Sequence, residues 1–275
     1  MAISKQNFDF VSAFVEKQAA IVLEPEKEYL VESRLQPLAR EEGFTSLDEY
    51  VDAVRAAPLV NGRHSRIVDA LTTNETTFFR DHFPFEALRK TLLPEHFRRN
   101  ATSKTLTLWS AACSTGQEPY SLAMMLRREF PKESEEWTIR IVATDLSKRV
   151  LAQAEAGSYT QFEVNRGLPA PYLIRYFAKD GQNWAIKDEI KKMVDFKQLN
   201  LMHSWALIPR CDFVFIRNVL IYFDVETKRE IFERMKSVLT PNSYMFLGGG
   251  ETTAHIHTGF EPSHFEGATC FKLKG

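Results

Sequence analysis

From about residue 104 the chain alternates short runs of β-branched and aromatic residues with helical segments, and this alternation limits the fold more than any other feature. The runs are "TLTLWSA" (105–111), "TIRIVATD" (138–145), "VDFKQLN" (194–200), "CDFVFIRN" (211–218) and "YMFLGGG" (244–250). Between them lie "EPYSLAMMLRREF", "KRVLAQAEAG" and "VETKREIFERMKSVL". Strands separated by helices need right-handed crossovers, so the pattern predicts an α/β fold with a mostly parallel sheet. The tail "HFEGATCFKLK" has little room for a crossover and reads as a closing antiparallel edge strand. Residues 159–192 break the alternation. They are too long for a crossover loop and include "DGQN", which resembles a hairpin turn, so they read as a small inserted subdomain.

The first 75 residues have a different texture, helical throughout. "FDFVSAFVEKQAAIVL" sets Phe10, Val11, Phe14, Val15 and Ile21 at spacings compatible with one helical face. "EYLVESRLQPLAREEG" gives a second helix, with Pro37 marking a bend or end and Gly43 a stop. "SLDEYVDAVR" opens with Ser46 and Glu49 at capping-box spacing, "APLVNGRH" is a turn-rich link, and "SRIVDALTT" is a further helix.

Composition excludes several partners. The formal net charge is −1, and residues 1–60 carry six Lys/Arg against eleven Asp/Glu, so no positive field recruits nucleic acid or an anionic membrane. No apolar stretch approaches the ~20 residues of a membrane span, and "MAISKQNFDF" lacks the apolar core of a secretory signal. Cys113, Cys211 and Cys270 form no CxxC pair and read as buried thiols of a cytoplasmic protein. The seven histidines show no metal-ligand spacing, and His82 reads as a surface residue.

In an open α/β sheet, ligands bind beyond the carboxyl ends of the strands. The first strand ends at "ACSTGQEP", a tight loop with one glycine, Gly116, and a carboxylate two positions on, Glu118. A phosphate cradle wants more glycines and no negative charge nearby. Glu118 suits an ammonium or a sulfonium instead, although Thr115 and Glu118 also have capping-box spacing. Asp145 ends the second strand, where a carboxylate accepts both ribose hydroxyls; the alternative is an N-cap for the helix that follows. A ligand with a ribose and positive charge but no phosphate matches S-adenosylmethionine and not a nicotinamide cofactor.

Three further stretches leave two readings each. "TTNETTFFRD" (72–81) is either a solvated helix end or a buried segment whose polar groups must find partners. In "RNVLIYF" (217–223), Arg217 and Asn218 end a strand, and Tyr222 is either functional or a core tyrosine with a satisfied hydroxyl. "GGGET" (248–252) is a lid, a close-approach loop or only a turn.

Taken together, "TTNETTFFRD", "WSAACSTGQEPYS", "ATDLS", "LNL", "RNVLIYF" and "LGGGET" stand in the order and spacing of the chemotaxis receptor glutamate methyltransferases, and the chain resembles this CheR family over nearly its whole length. The resemblance implies a helical N-terminal domain (1–75) and a Rossmann-like S-adenosylmethionine-dependent methyltransferase domain (76–275), with an antiparallel β-subdomain inserted at about 159–192. It implies cofactor contacts from Asn74, Thr76 and Arg80, Glu118 at the methionine end, and Asp145 at the ribose. Asn200 and Leu201 would surround the adenine, with Arg217 and Asn218 lining the same cleft, while Arg80 and Tyr222 orient the reacting groups.

The implied substrates are glutamates on the cytoplasmic helical bundle of membrane chemoreceptors. The implied products are glutamyl methyl esters and S-adenosylhomocysteine, for adaptation in chemotaxis. A monomer is expected, with no metal, no nucleic acid and no membrane insertion. A glutamate with a pKa near ~4.3 is already ionised at neutral pH, so such a transfer needs no general base, which agrees with the absence of an evident one. The stretch between "RYF" and "VDF" is compact, which favours an enzyme independent of a receptor-tail tether. The rivals are a methyltransferase for nucleic acid or small molecules, and a catalytically silent adaptor. The first lacks a Pro-Pro-aromatic strand end and a basic stripe; the second is disfavoured by Arg80, Asp145 and Tyr222.

Overall fold

The computed structural model describes residues 3–58 and 62–274. Leu59, Val60 and Asn61, in the predicted turn-rich link, lie outside the described residues. Four N-terminal helices, α1 (Lys5–Ala19), α2 (Glu28–Glu41), α3 (Leu47–Ala56) and α4 (Gly62–Leu71), close around their own core of Val11, Val15, Val31, Leu35, Val51 and Ile67. Two local expectations are corrected here. Helix α2 runs through Pro37, so of the two expectations, a bend or an end, the end is overturned; the carbonyl left unpaired by the missing N–H is that of exposed Ser33, which water can satisfy. The Ser46 box is only half formed. Ser46 Oγ accepts the Glu49 N–H, but the Glu49 carboxylate accepts from the N–H and hydroxyl of Thr45 instead. Gly43 ends α2 in the left-handed region, as its sequence position suggested.

The larger unit is a seven-stranded sheet. Its strands are β1 (Thr105–Ala111), β2 (Thr138–Asp145), β6 (Val194–Gln198), β7 (Cys211–Ile216), β8 (Leu239–Phe246), β9 (Phe260–Phe265) and β10 (Ala268–Leu273). They lie in the order β6-β2-β1-β7-β8-β10-β9, the first five parallel and β10 antiparallel to both neighbours. Alternation sends Leu106 and Leu108 of β1 to one core, and Trp109 and Ala111 to the other. The helix Gln117–Glu129 covers the first face and Val225–Val238 the second.

The tail departs from its expectation. It forms a hairpin, and β10 lies inside the sheet while β9 takes the edge. Glu266 and Gly267 both have positive φ, +49° and +82°, as a type I′ hairpin turn requires. The interrupting stretch forms a separate three-stranded antiparallel sheet from β3 (Ser158–Thr160), β4 (Phe177–Asp180) and β5 (Asn183–Ile186), ordered β3-β5-β4, with the "DGQN" turn joining β4 to β5. All three cysteines are buried and free. Among the described residues no helix is long and apolar enough to cross a membrane.

Candidate functional site

Register decides where the loops meet. Ala111 pairs with Thr144 on one side and Ile216 on the other, and Asp145 pairs with Gln198, so four strands stop level with one another. From β1 the chain goes first to β2 and β6 and then crosses to β7 and β8. The switch in strand order therefore opens a crevice between the loops after β1 and β7. A cleft fills it. All ten residues singled out from the sequence line it: Asn74, Thr76, Arg80, Glu118, Asp145, Asn200, Leu201, Arg217, Asn218 and Tyr222. Ala19 and Ile21 from the end of α1 add a wall that the sequence reading did not foresee.

The loop after β1 is held under backbone strain. Ala112 and Ser114 both sit at positive φ, +55° and +51°. Ser114 is fixed from two sides, its N–H donating to Asp145 Oδ2 (2.8 Å) and its hydroxyl to the Asn74 carbonyl (2.8 Å). Gly116, at φ +91°, begins the helix, and a Cβ there would lie 2.9 Å from the Ala154 Cβ. Its bareness thus serves packing against the helix Lys148–Ala156 rather than approach of a ligand. Tyr159 of β3 reinforces the loop by donating to the Thr115 carbonyl (2.7 Å).

The expected capping box does not form. The N-cap is Gly116, and the Thr115 hydroxyl donates to Gln117. Glu118 points into the site, accepting from Ser110 Oγ (2.7 Å) and pairing with Arg217 Nη1 (2.9 Å). Arg217 is the centre of this network: its Nη2 also bonds Asp81 (2.6 Å) and the Arg80 carbonyl (2.9 Å), and its buried Nε–H has no partner among the described residues. The turn it grips carries Phe79, Asp81 and His82 at positive φ. Residues 72–81 are not a helix end. They are an extended strap with a turn, anchored by buried Phe78 and by the Phe79 ring against the core. Asp81 and Ser110 escaped the sequence reading, although each stood inside a quoted motif, "TTNETTFFRD" and "WSAACSTGQEPYS".

Asp145 is buried, and burial pushes its carboxyl above the ordinary 3.8, against the N–H groups of Ser147 and Ser114 that pull it down. It is not the helix cap, a role taken by Ser147, whose side chain accepts from Val150 N–H. Oδ1 accepts the backbone N–H of Ser147 (3.0 Å) and Oδ2 that of Ser114 (2.8 Å), and the Leu146 N–H also acts on the carboxylate, which still leaves acceptor capacity toward the cleft. Burial also pushes the neighbouring Cys113 thiol up, helped by the charges of Asp145 and Glu118, so it stays a neutral thiol.

Across the cleft, Asn200 is a latch. Its amide donates to the Gln18 carbonyl (2.7 Å) and accepts the Met202 N–H (2.9 Å). Tyr222 is half-buried, and its hydroxyl bonds nothing among the described residues, unlike a satisfied core tyrosine. Arg80 is half-buried, and among the described residues it donates through Nη1 to the Glu75 carbonyl (2.9 Å). "GGGET" is no free lid, because the Glu251 carboxylate accepts backbone N–H groups from Gly248 and from the loop after β7.

Comparison with known proteins agrees with this geometry. Residues 6–72 match the CheR methyltransferase all-alpha domain, and residues 74–267 the CheR methyltransferase SAM-binding domain. Chemotaxis protein methyltransferase 1 of Pseudomonas aeruginosa is 42% identical over 274 residues, covering 98% of this chain and 97% of that protein. Chemotaxis protein methyltransferase Cher2 of Pseudomonas putida is 40% identical with the same coverage, and the chemotaxis protein methyltransferase of Escherichia coli is 34% identical over 99% of this chain and 92% of its own length. With its two domain matches spanning nearly the whole sequence, the chain belongs to the CheR methyltransferase family.

Proposed function

We propose that this chain methylates glutamate side chains on the cytoplasmic helical bundle of chemoreceptors, producing glutamyl methyl esters and S-adenosylhomocysteine. The observation that carries the reading is the convergence, in one cleft at the strand ends, of ten residues drawn from segments between Asn74 and Tyr222. In this reading residues 1–75 form the receptor-facing helical unit and 76–275 the catalytic unit, with the β-insertion at about 159–192. The enzyme works in the cytoplasm as a monomer, without metal or nucleic acid.

The chemistry of the lining suits S-adenosylmethionine. Asp145 retains lone pairs for a ribose diol, and Leu146, Leu199 and Leu201 offer apolar walls to an adenine. Glu118 brings a carboxylate to the lining that can accept from an ammonium, and Arg80 brings donors for a carboxylate. When bound, the cofactor supplies a methyl group on a positively charged sulfur. The chain's part is positioning and exclusion of water, since an ionised glutamate needs no base. Arg80, with most of its donors unused among the described residues, aligns a carboxylate, and the Tyr222 hydroxyl, which bonds nothing among them, donates at the acceptor end.

The test is incubation with methyl-labelled S-adenosylmethionine and a receptor cytoplasmic fragment. Base-labile label on glutamates of the fragment is the expected result. Cofactor binding with no transfer to any receptor would overturn the reading in favour of an adaptor.

A further inference from the structure

One carboxylate near the cleft is used entirely on backbone. Glu251, beyond the end of β8, reaches to the loop after β7. Its Oε2 accepts the N–H groups of Asn218 (2.8 Å) and Gly248 (2.7 Å), and its Oε1 those of Leu220 (2.7 Å) and Ile221 (3.2 Å). A carboxylate offers about four acceptor sites, so none is left for a ligand or for proton transfer.

What it holds bears on the reaction. Asn218 sits at φ +58°, a conformation that needs support in a residue other than glycine. Leu220 and Ile221 open the single 3₁₀ turn that ends in Tyr222. Gly248 completes the clamp, since a Cβ there would lie 2.6 Å from the Asn218 Nδ2 and 2.8 Å from its backbone nitrogen. Two cleft-lining residues, Asn218 and Tyr222, are thus oriented by one side chain that lies outside the cleft. The cofactor side is held by other bonds, those of Ser114, Ser147 and Ser110, in which Glu251 takes no part.

We infer that Glu251 is a positioning residue for methyl transfer, acting through the 3₁₀ turn that carries Tyr222 at the acceptor end of the cleft. This rests on the methyltransferase reading above, with Tyr222 at the acceptor end. Glu251→Gln keeps the shape, removes the charge, and turns an NH2 toward two N–H donors. Misplacement of reacting groups by a fraction of an ångström to an ångström predicts a fall in kcat of about 10- to 100-fold, with cofactor affinity unchanged by calorimetry. Amide exchange at residues 218–221 should accelerate while that of the β1–helix loop does not. Because the effect passes through the Tyr222 turn, Glu251→Gln combined with Tyr222→Phe should lose no more activity than the worse single variant.

Gly248→Ala, which leaves Glu251 intact but crowds Asn218, is the second variant and should show the same loss confined to kcat. Unchanged exchange at 218–221, unchanged kcat, an equal loss of cofactor affinity, or losses that multiply in the double variant would each overturn the inference. Wild-type protein that labels no receptor fragment refutes the methyltransferase reading instead, and the exchange measurement then still decides whether Glu251 is the clamp.

Discussion

Arg217→Met removes the cation on which the cleft wall is built. Arg217 has 2% of its side chain exposed, and its partner Glu118 has 12%, so neither charge is hydrated as it would be in water. Removing the arginine leaves Glu118 with only the Ser110 hydroxyl, and stranding one member of a buried ion pair costs about 3–5 kcal/mol. The second carboxylate, Asp81, is 49% exposed and returns to water, so its lost contact adds little. Taking the low end, about 3 kcal/mol is a large share of the ~5–15 kcal/mol that holds a typical protein folded. For a chain of this size it should lower the melting temperature by about 6 °C or more. Thermal unfolding followed by circular dichroism measures it directly. The double variant Glu118→Met with Arg217→Met leaves no stranded charge and should recover much of the loss. A single variant that melts within about 1 °C of the wild type, or a double variant that melts no higher than the single, refutes the reasoning.

Asp145→Asn should weaken S-adenosylmethionine binding by about tenfold or more in calorimetry, the worth of one hydrogen bond to a charged acceptor. The same carboxylate sets a pH dependence with two opposite signs. Its raised pKa means the unliganded fold gains stability from this group on acidification from above the raised value toward 3.8, while cofactor affinity falls over that window because the ribose needs the ionised form. Asn200→Ala should cost about 1–2 kcal/mol in urea unfolding, from the lost bonds to Gln18 and Met202. A receptor fragment lacking its C-terminal tail should be methylated as fast as one that retains it; a large drop would refute tether independence.

The strand ends were legible because periodicity and β-branched runs survive folding intact. Asp145, Asn218 and the loop after β1 fall where the runs stop. Glu118 was read at the right place, but its capping alternative failed for a tertiary reason. The chain needs a bare, left-handed residue at position 116 to clear Ala154, and that moves the helix start past Thr115. The tail hairpin was missed although Glu266–Gly267, like the turn recognised in "DGQN", joins adjacent strands in two residues; the short spacing hid two strands inside what looked like one. Asp81 and Glu251 were opaque because their partners lie far along the chain: 136 residues away for Asp81, 33 for the Glu251 bond to Asn218. Only the register of the sheet brings those partners together.

The Asn200 latch and the Val22 N–H donated to the Tyr222 carbonyl (3.2 Å) tie the helical unit to both lips of the cleft, whose wall includes Ala19 and Ile21. Occupancy of the cleft and seating of the helical unit therefore share one free energy. Whatever binds the seated helices more tightly than the unseated ones must also tighten the cofactor, by the same factor that the cofactor tightens it. Receptor binding at the helices would then be measurable with no receptor chemistry at all, as a change in cofactor dissociation constant.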